Sequence, residues 1–144
     1  MNTGNVQNRS QQIDRILTDL TALKGVTAAA IVDADGFVTH IRRDFEINSD
    51  ALGAAVQITF GAAMRAAQHV GQDSARLVVS ENRDGLVIFA PLAGGFILSL
   101  VADGTAMLGS IRFEVKEVLP TLSGLLGQTQ GAQGARPVAV PKRA

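Results

Sequence analysis

The sequence predicts an α+β domain of three helices and five strands, in the order α-β-β-α-β-β-β-α. Three observations predict it. Apolar residues recur at spacings of three and four over Ile13 to Leu23, Leu52 to Val70 and Leu108 to Leu122, as on one face of a helix. Short apolar runs lie between these segments, at Val26 to Asp33, Phe37 to Arg42, Ala75 to Glu81, Leu86 to Leu92 and Phe96 to Ala102. Turn residues separate the runs: Asp35-Gly36, Asn82-Arg83-Asp84-Gly85 and Ala93-Gly94-Gly95.

The first helix is expected from Ser10 to Lys24, with Ile13, Ile16, Leu17, Leu20 and Leu23 on one face. Ser10 is a candidate N-cap, and Gly25 suits the left-handed residue that ends a helix. A hairpin follows, because Asp35 and Gly36 both tolerate positive φ between apolar runs. Asp33 and Asp35 invite a cation reading, but a calcium loop needs more oxygen ligands and a closing glutamate, and position twelve is Asp44. Turn chemistry explains them better.

The middle helix is expected from Asp50 to Val70, with Asn48, Ser49 and Asp50 as caps. Leu52, Ala55, Val56, Thr59, Ala63, Ala66 and Val70 make one broad apolar face. Ala51, Ala54, Ile58 and Ala62 widen it on one side, and Phe60 and Met64 on the other. A helix apolar nearly all round is buried on more than one side. In so small a chain the expected second cover is a second subunit, and Gly53, Ala54, Gly61 and Ala62 would let two backbones approach; the alternative is an alanine-rich helix with weakly apolar exposed faces, which helix propensity favours. Of the three strands that follow, the second and third are almost wholly apolar and suit burial on both faces. The first, with Arg76 and Ser80, reads as an edge, which must be covered or paired. The expected homodimer seam therefore comprises Ala54, Ile58 and Ala62 with Arg76, Val78 and Ser80. The last helix runs from Met107 to Leu126, with Thr105 as cap, a stripe of Leu108, Ile111, Val115, Val118, Leu119 and Leu122, and a kink or restart at Pro120.

Composition narrows function by exclusion. At 144 residues, 47% of them hydrophobic, the chain suits one domain with a sizeable core. Cysteine is absent, so there is no disulfide scaffold, no thiolate nucleophile and no usual structural zinc ligand. This fits a reducing cytoplasm, the expected location. Met1 to Ser10 lacks the apolar core of a signal peptide, and no apolar run approaches the ~20 residues of a membrane span. Integral membrane association is therefore not expected. Formal net charge is zero, which argues against nucleic acid. The charge is unevenly spread: residues 1–126 hold 10 basic and 13 acidic residues, while Arg136, Lys142 and Arg143 lie in a tail without acids. Residues 128–144, rich in Gly, Gln, Ala and Pro, are expected to be a disordered basic tail. Residues 1–9 are expected to be a flexible lead-in, and 10–127 the domain.

No catalytic constellation is visible. His40 and His69 stand alone, no nucleophile has a base and an orienting partner, and no phosphate-loop motif occurs. Arg65, Arg83 and Arg112 are each conceivable as an arginine finger, though Arg112, two positions before Glu114, suits a structural salt bridge better. The chain is read as a non-enzyme without cofactor or metal.

The leucine-spaced first helix, Gly25-Val26, Val32-Asp33-Ala34-Asp35-Gly36, Gly85 through Pro91, Phe96 to Val101, and Leu108-Gly109 with Arg112 together resemble the roadblock family, related to dynein light chains and to the bacterial MglB proteins. The resemblance covers Ile13 to Leu126. Met107 stands where the family often has asparagine, and Pro120 is atypical. The resemblance implies a five-stranded antiparallel sheet with the middle helix on one face and the terminal helices on the other. It also implies homodimers through the middle helix and the adjacent edge strand, and a Ras-like GTPase as partner. Gln57, Gly61, Arg65 and Gln68, the polar members of the middle helix, are the expected partner-binding residues. The alternatives are a scaffold of a cytoskeletal or signalling complex without a GTPase, or a small-molecule sensor, which the absence of Trp and Tyr disfavours.

Overall fold

Leucine and isoleucine at helical spacing need a surface to cover, and the apolar strands provide it. In the computed structural model, which describes residues 3–133, the elements are α1 (Thr3–Thr21), β1 (Val26–Val32), β2 (Val38–Arg43), α2 (Ser49–His69), β3 (Val78–Asn82), β4 (Gly85–Pro91), β5 (Ile97–Asp103) and α3 (Leu108–Gln133). A 3-10 turn, Ala93–Gly95, joins β4 to β5. The five strands form one sheet in the order β2-β1-β5-β4-β3, every pair antiparallel. The more apolar strands, β1, β5 and β4, take the interior positions, and the more polar β2 and β3 are the edges.

Alternation along each strand sorts side chains between two cores. Ala29, Ile31, Ile88, Ala90, Leu98 and Leu100 pack with Ile13, Leu17 and Leu20 of α1 and with Ile111, Val115, Leu122 and Leu126 of α3. Val32, Phe89 and Ile97 point the other way, against Val56 and Phe60 of α2. Each large side chain buried this way contributes about 1.5–3 kcal/mol. The result is the α+β architecture expected, with the terminal helices on one face and α2 on the other.

The β1–β2 turn is built by Asp33. Its Oδ1 accepts the backbone N–H groups of Asp35 and Phe37, both at 2.9 Å, while Gly36 takes φ 89°. This carboxylate is occupied in shaping the turn.

Several boundaries differ from expectation. Helix α1 begins at Thr3, so Thr3–Arg9, expected as a flexible lead-in, are helical. Ser10 is not the cap; it lies inside the helix, with its Oγ 3.3 Å from His40 Nε2. Extending a docked helix avoids the cost of nucleation, and no proline precedes Ser10 to stop it. Helix α3 starts at Leu108, because Thr105 donates both its N–H and its hydroxyl to Asp103 Oδ1, at 2.9 and 2.6 Å, in the turn after β5. The helix does not restart at Pro120, which is exposed within it. It runs on to Gln133 through six residues of the expected tail, none of them proline. Residues 134–144, the rest of that tail, and Met1 and Asn2 lie outside the described residues.

Candidate protein interaction surface

Helix α2 is anchored at both ends. Asn48 caps it, its side chain accepting the Ala51 N–H at 3.0 Å. Next to the cap, Gly53 meets the hairpin backbone: a Cβ there would stand 2.0 Å from the Gly36 carbonyl oxygen. At the other end, Met64 Sδ accepts the Ala75 N–H at 3.2 Å. The core beneath α2 includes both Val38 of β2 and Val78 of β3. The helix thus crosses the sheet from one edge to the other.

Its buried side runs through Gly53, Val56 and Phe60. Ala55, Thr59, Ala66 and Val70, expected on the apolar core face, are exposed. The reason is side-chain size: alanine buries little area, so Val56 and Phe60 set the rotation of the helix. Ala54, Ile58 and Ala62 form an exposed row with Ile58 at 72% of its full accessibility. The row ends near β3, whose outer edge has no strand beside it among the described residues. In β3, Val78 and Ser80 are half-buried; Val78 points into the α2 core, and the Ser80 hydroxyl donates to Asn82 Oδ1 at 2.9 Å. Arg76 is exposed but precedes the strand, which begins at Val78 rather than Ala75.

The four partner-binding candidates of α2 follow one side of the helix but differ in exposure. Gln57 is half-buried, and its Nε2 donates to the backbone oxygens of Asp33 at 2.7 Å and Gly95 at 3.1 Å. It ties α2 to two turns. Gly61 is half-buried, Gln68 is exposed, and Arg65 is exposed in the same row as Ile58 and Ala62, three residues beyond Ala62. Sequence reasoning also passed over Phe37, Phe45 and Phe113, which stand exposed on the β1–β2 turn, after β2 and on α3. Phe113 had a readable signal, since it falls outside the Leu108, Ile111, Val115 spacing.

The remaining candidates have structural surroundings. His40 on β2 lies between Ser10 and Thr39, whose Oγ1 is 3.0 Å from Nδ1. Burial lowers its pKa from the usual 6.5, and the nearby Asp14 charge opposes the shift. His69 is exposed at the end of α2. Arg112 and Glu114 form no ion pair: residues two apart on a helix point to different sides. Among the described residues no three His, Asp or Glu side chains gather as metal ligands, and no helix is long and apolar enough to cross a membrane.

Known proteins share this geometry. An MglB in a tetrameric arrangement superposes with a TM-score of 0.79 at 19% identity, covering 85% of this chain and 93% of that one. The gliding protein MglB of Thermus thermophilus gives 0.76 at 19% identity, covering 89% and 95%. A Roadblock/LC7 domain from Streptomyces avermitilis gives 0.73 at 19% identity, covering 79% and 97%. In sequence, two uncharacterized proteins of Methanocaldococcus jannaschii are each 27% identical over 113 residues, 78% of this chain and 98% of theirs. The Roadblock/LC7 domain itself matches residues 12–102, from α1 through β5. Matched over more than half its length, the chain belongs to the Roadblock/LC7 domain family.

Proposed function

We propose that this protein is a non-enzymatic, cytoplasmic homodimeric adaptor that binds and regulates a small Ras-like GTPase. The observation that carries the reading is the exposed row of Ala54, Ile58 and Ala62 running toward the unpaired edge of β3. Leaving an isoleucine open to water forgoes about 1.5–3 kcal/mol of burial that a second copy would recover. Pairing of the β3 edge would extend the seam through Arg76, Val78 and Ser80. Family membership and the likeness to MglB support a GTPase as partner. The GTPase would supply the nucleotide chemistry, and the dimer would shift its switch regions by binding one nucleotide state better. Its surface would be Arg65 and Gln68, flanked by Gly61 and the turn-bound Gln57. Two adjacent α2 helices could offer the ~800 Å² per side of a standard interface.

Two measurements test this. Light scattering at tens of micromolar should give a dimer, and Ile58→Glu should shift it to monomer, since burying an unpaired charge costs several kcal/mol. A dimer that survives Ile58→Glu has its seam elsewhere. Calorimetry with a Ras-like GTPase should show affinity that differs between GDP and a GTP analogue and falls about tenfold or more in Arg65→Glu. Because Arg65 shares the row with Ile58, dimer mass is measured on the same variant; loss of both together assigns Arg65 to the seam. A dimer that binds no GTPase in either state leaves the scaffold reading.

A further inference from the structure

The sheet face opposite α2 is covered unevenly. Helix α1 lies over β1 and β2 and against α3, so the β3 end of that face is left to α3 alone. Between α3, the residues leading into β3 and the end of β4 runs a groove of about 430 Å³. Its floor is apolar: Leu77, Pro91, Val115 and Leu119. Its charged members are Arg76 from the β3 side and Arg112 and Lys116 from α3, with no carboxylate in the lining. The concentration is local, because residues 1–126 hold only 10 basic residues against 13 acidic ones, and three of the ten meet here. Among the described residues none of the three has an acidic side chain within ion-pair distance.

We propose that this groove receives a segment of a partner protein in which apolar side chains alternate with carboxylates. The floor would take the apolar side chains, and the two arginines, whose planar forks match carboxylates, would engage the acids with Lys116. Charge selects the occupant. This chain's own C-terminal segment carries Arg136, Lys142 and Arg143 and no acid, so the same cations would repel it. A single-headed amphiphile would satisfy one cation, whereas the groove presents three from two separate elements. The site lies on the other side of the sheet from α2, with Arg112 and Lys116 on α3, and shares only Arg76 with the proposed β3 seam.

The test uses the full chain and a fluorescent peptide of alternating leucine and glutamate, with its leucine–glutamine counterpart and decanoate as controls. Anisotropy should show binding of the glutamate peptide that weakens with salt, and about tenfold or more weaker binding of the glutamine peptide. Arg112→Glu combined with Lys116→Glu should reduce affinity about tenfold or more, with an unchanged circular dichroism melt. Lys116→Gln, a single exposed change, should weaken binding in the same direction and decides the matter if the double variant unfolds. Amide shifts on titration should cluster at Leu77, Val115 and Leu119. The proposal is overturned by equal binding of both peptides, by no binding of the glutamate peptide, or by shifts centred on α2. Full displacement of the peptide by decanoate would overturn it in favour of a small amphiphilic anion.

Discussion

Single residues decide how closely the layers of this protein meet. Gly53 and Gly36 let helix and hairpin touch backbone to backbone, with Gly36 also at φ 89°. Gly53→Ala would gain helix propensity, up to about 1 kcal/mol, yet place a methyl group 2.0 Å from a carbonyl oxygen. The clash dominates, so chemical denaturation should show a net loss of about 1–3 kcal/mol. Gln57 reinforces the same junction through its bonds to Asp33 and Gly95. On the opposite face His40 links β2 to α1, and burial holds its pKa below 6.5. A histidine with a lowered folded pKa binds fewer protons folded than unfolded just below 6.5. Its stabilising contribution is therefore full above that pH and is lost as pH falls through the folded pKa. The melting temperature should drop on acidification below about pH 6.5, and His40→Gln should flatten that slope. An unchanged slope would place the titration elsewhere.

At the scale of elements, each helix serves the sheet differently. Helix α1 is a conventional amphipathic cover, with Ile13, Leu17 and Leu20 buried in sequence order. Helix α2 is held by two bulky side chains and the Gly53–Gly36 contact, which leaves its outer row of small residues, Ile58 and Arg65 available. Helix α3 carries Pro120 on an exposed site inside a continuous helix. The proline cannot donate to the Lys116 carbonyl and crowds the preceding turn, an intrinsic cost of about 3 kcal/mol in a helix. Pro120→Ala should therefore raise stability by about 1–3 kcal/mol in urea denaturation. No gain would mean that the helix has already bent to relieve the strain. Strand β3 offers one hydrogen-bonding edge and borders both the α2 surface and, through the residues that lead into it, the basic groove.

The whole molecule is a sheet with a two-helix layer on one face and a single diagonal helix on the other, a division that separates two candidate surfaces. Among the residues whose burial is described, its last deeply buried anchors are Leu122 and Leu126. A chain ending at Gly127 should therefore keep its melting temperature within about 2 °C and, if the α2 and β3 seam holds the dimer, keep its mass by light scattering. A larger loss would show that residues 128–144 contribute to the folded body. Truncation also removes Arg136, Lys142 and Arg143, whose attraction for an acidic peptide is long-range and screened by salt, so peptide binding at the Arg112 groove should stay level or weaken modestly at low salt.

Much of the fold is legible in the residues themselves. Helical spacing of Ile13, Leu17 and Leu20, the Asp35-Gly36 turn, the Asn48 cap and the nearly continuous apolar runs of β4 and β5 each encode local geometry within a few positions. Patterns of that range survive folding because burial rewards them directly. The start of α1 and the end of α3 are not legible, since a helix docked on a sheet extends through residues of indifferent propensity. Nor is the candidate surface. Sequence places Gln57 and Arg65 on one side of the helix, close to Ile58, but only the packing of Val56 and Phe60 and the approach of two turns decide that Gln57 is half-buried and hydrogen-bonded while Arg65 stays exposed. The gathering of Arg76, Arg112 and Lys116 around one groove likewise joins residues far apart in the chain. Local periodicity settles which elements form and which faces are apolar, whereas helix rotation and cross-sheet neighbours depend on side-chain volumes meeting in three dimensions.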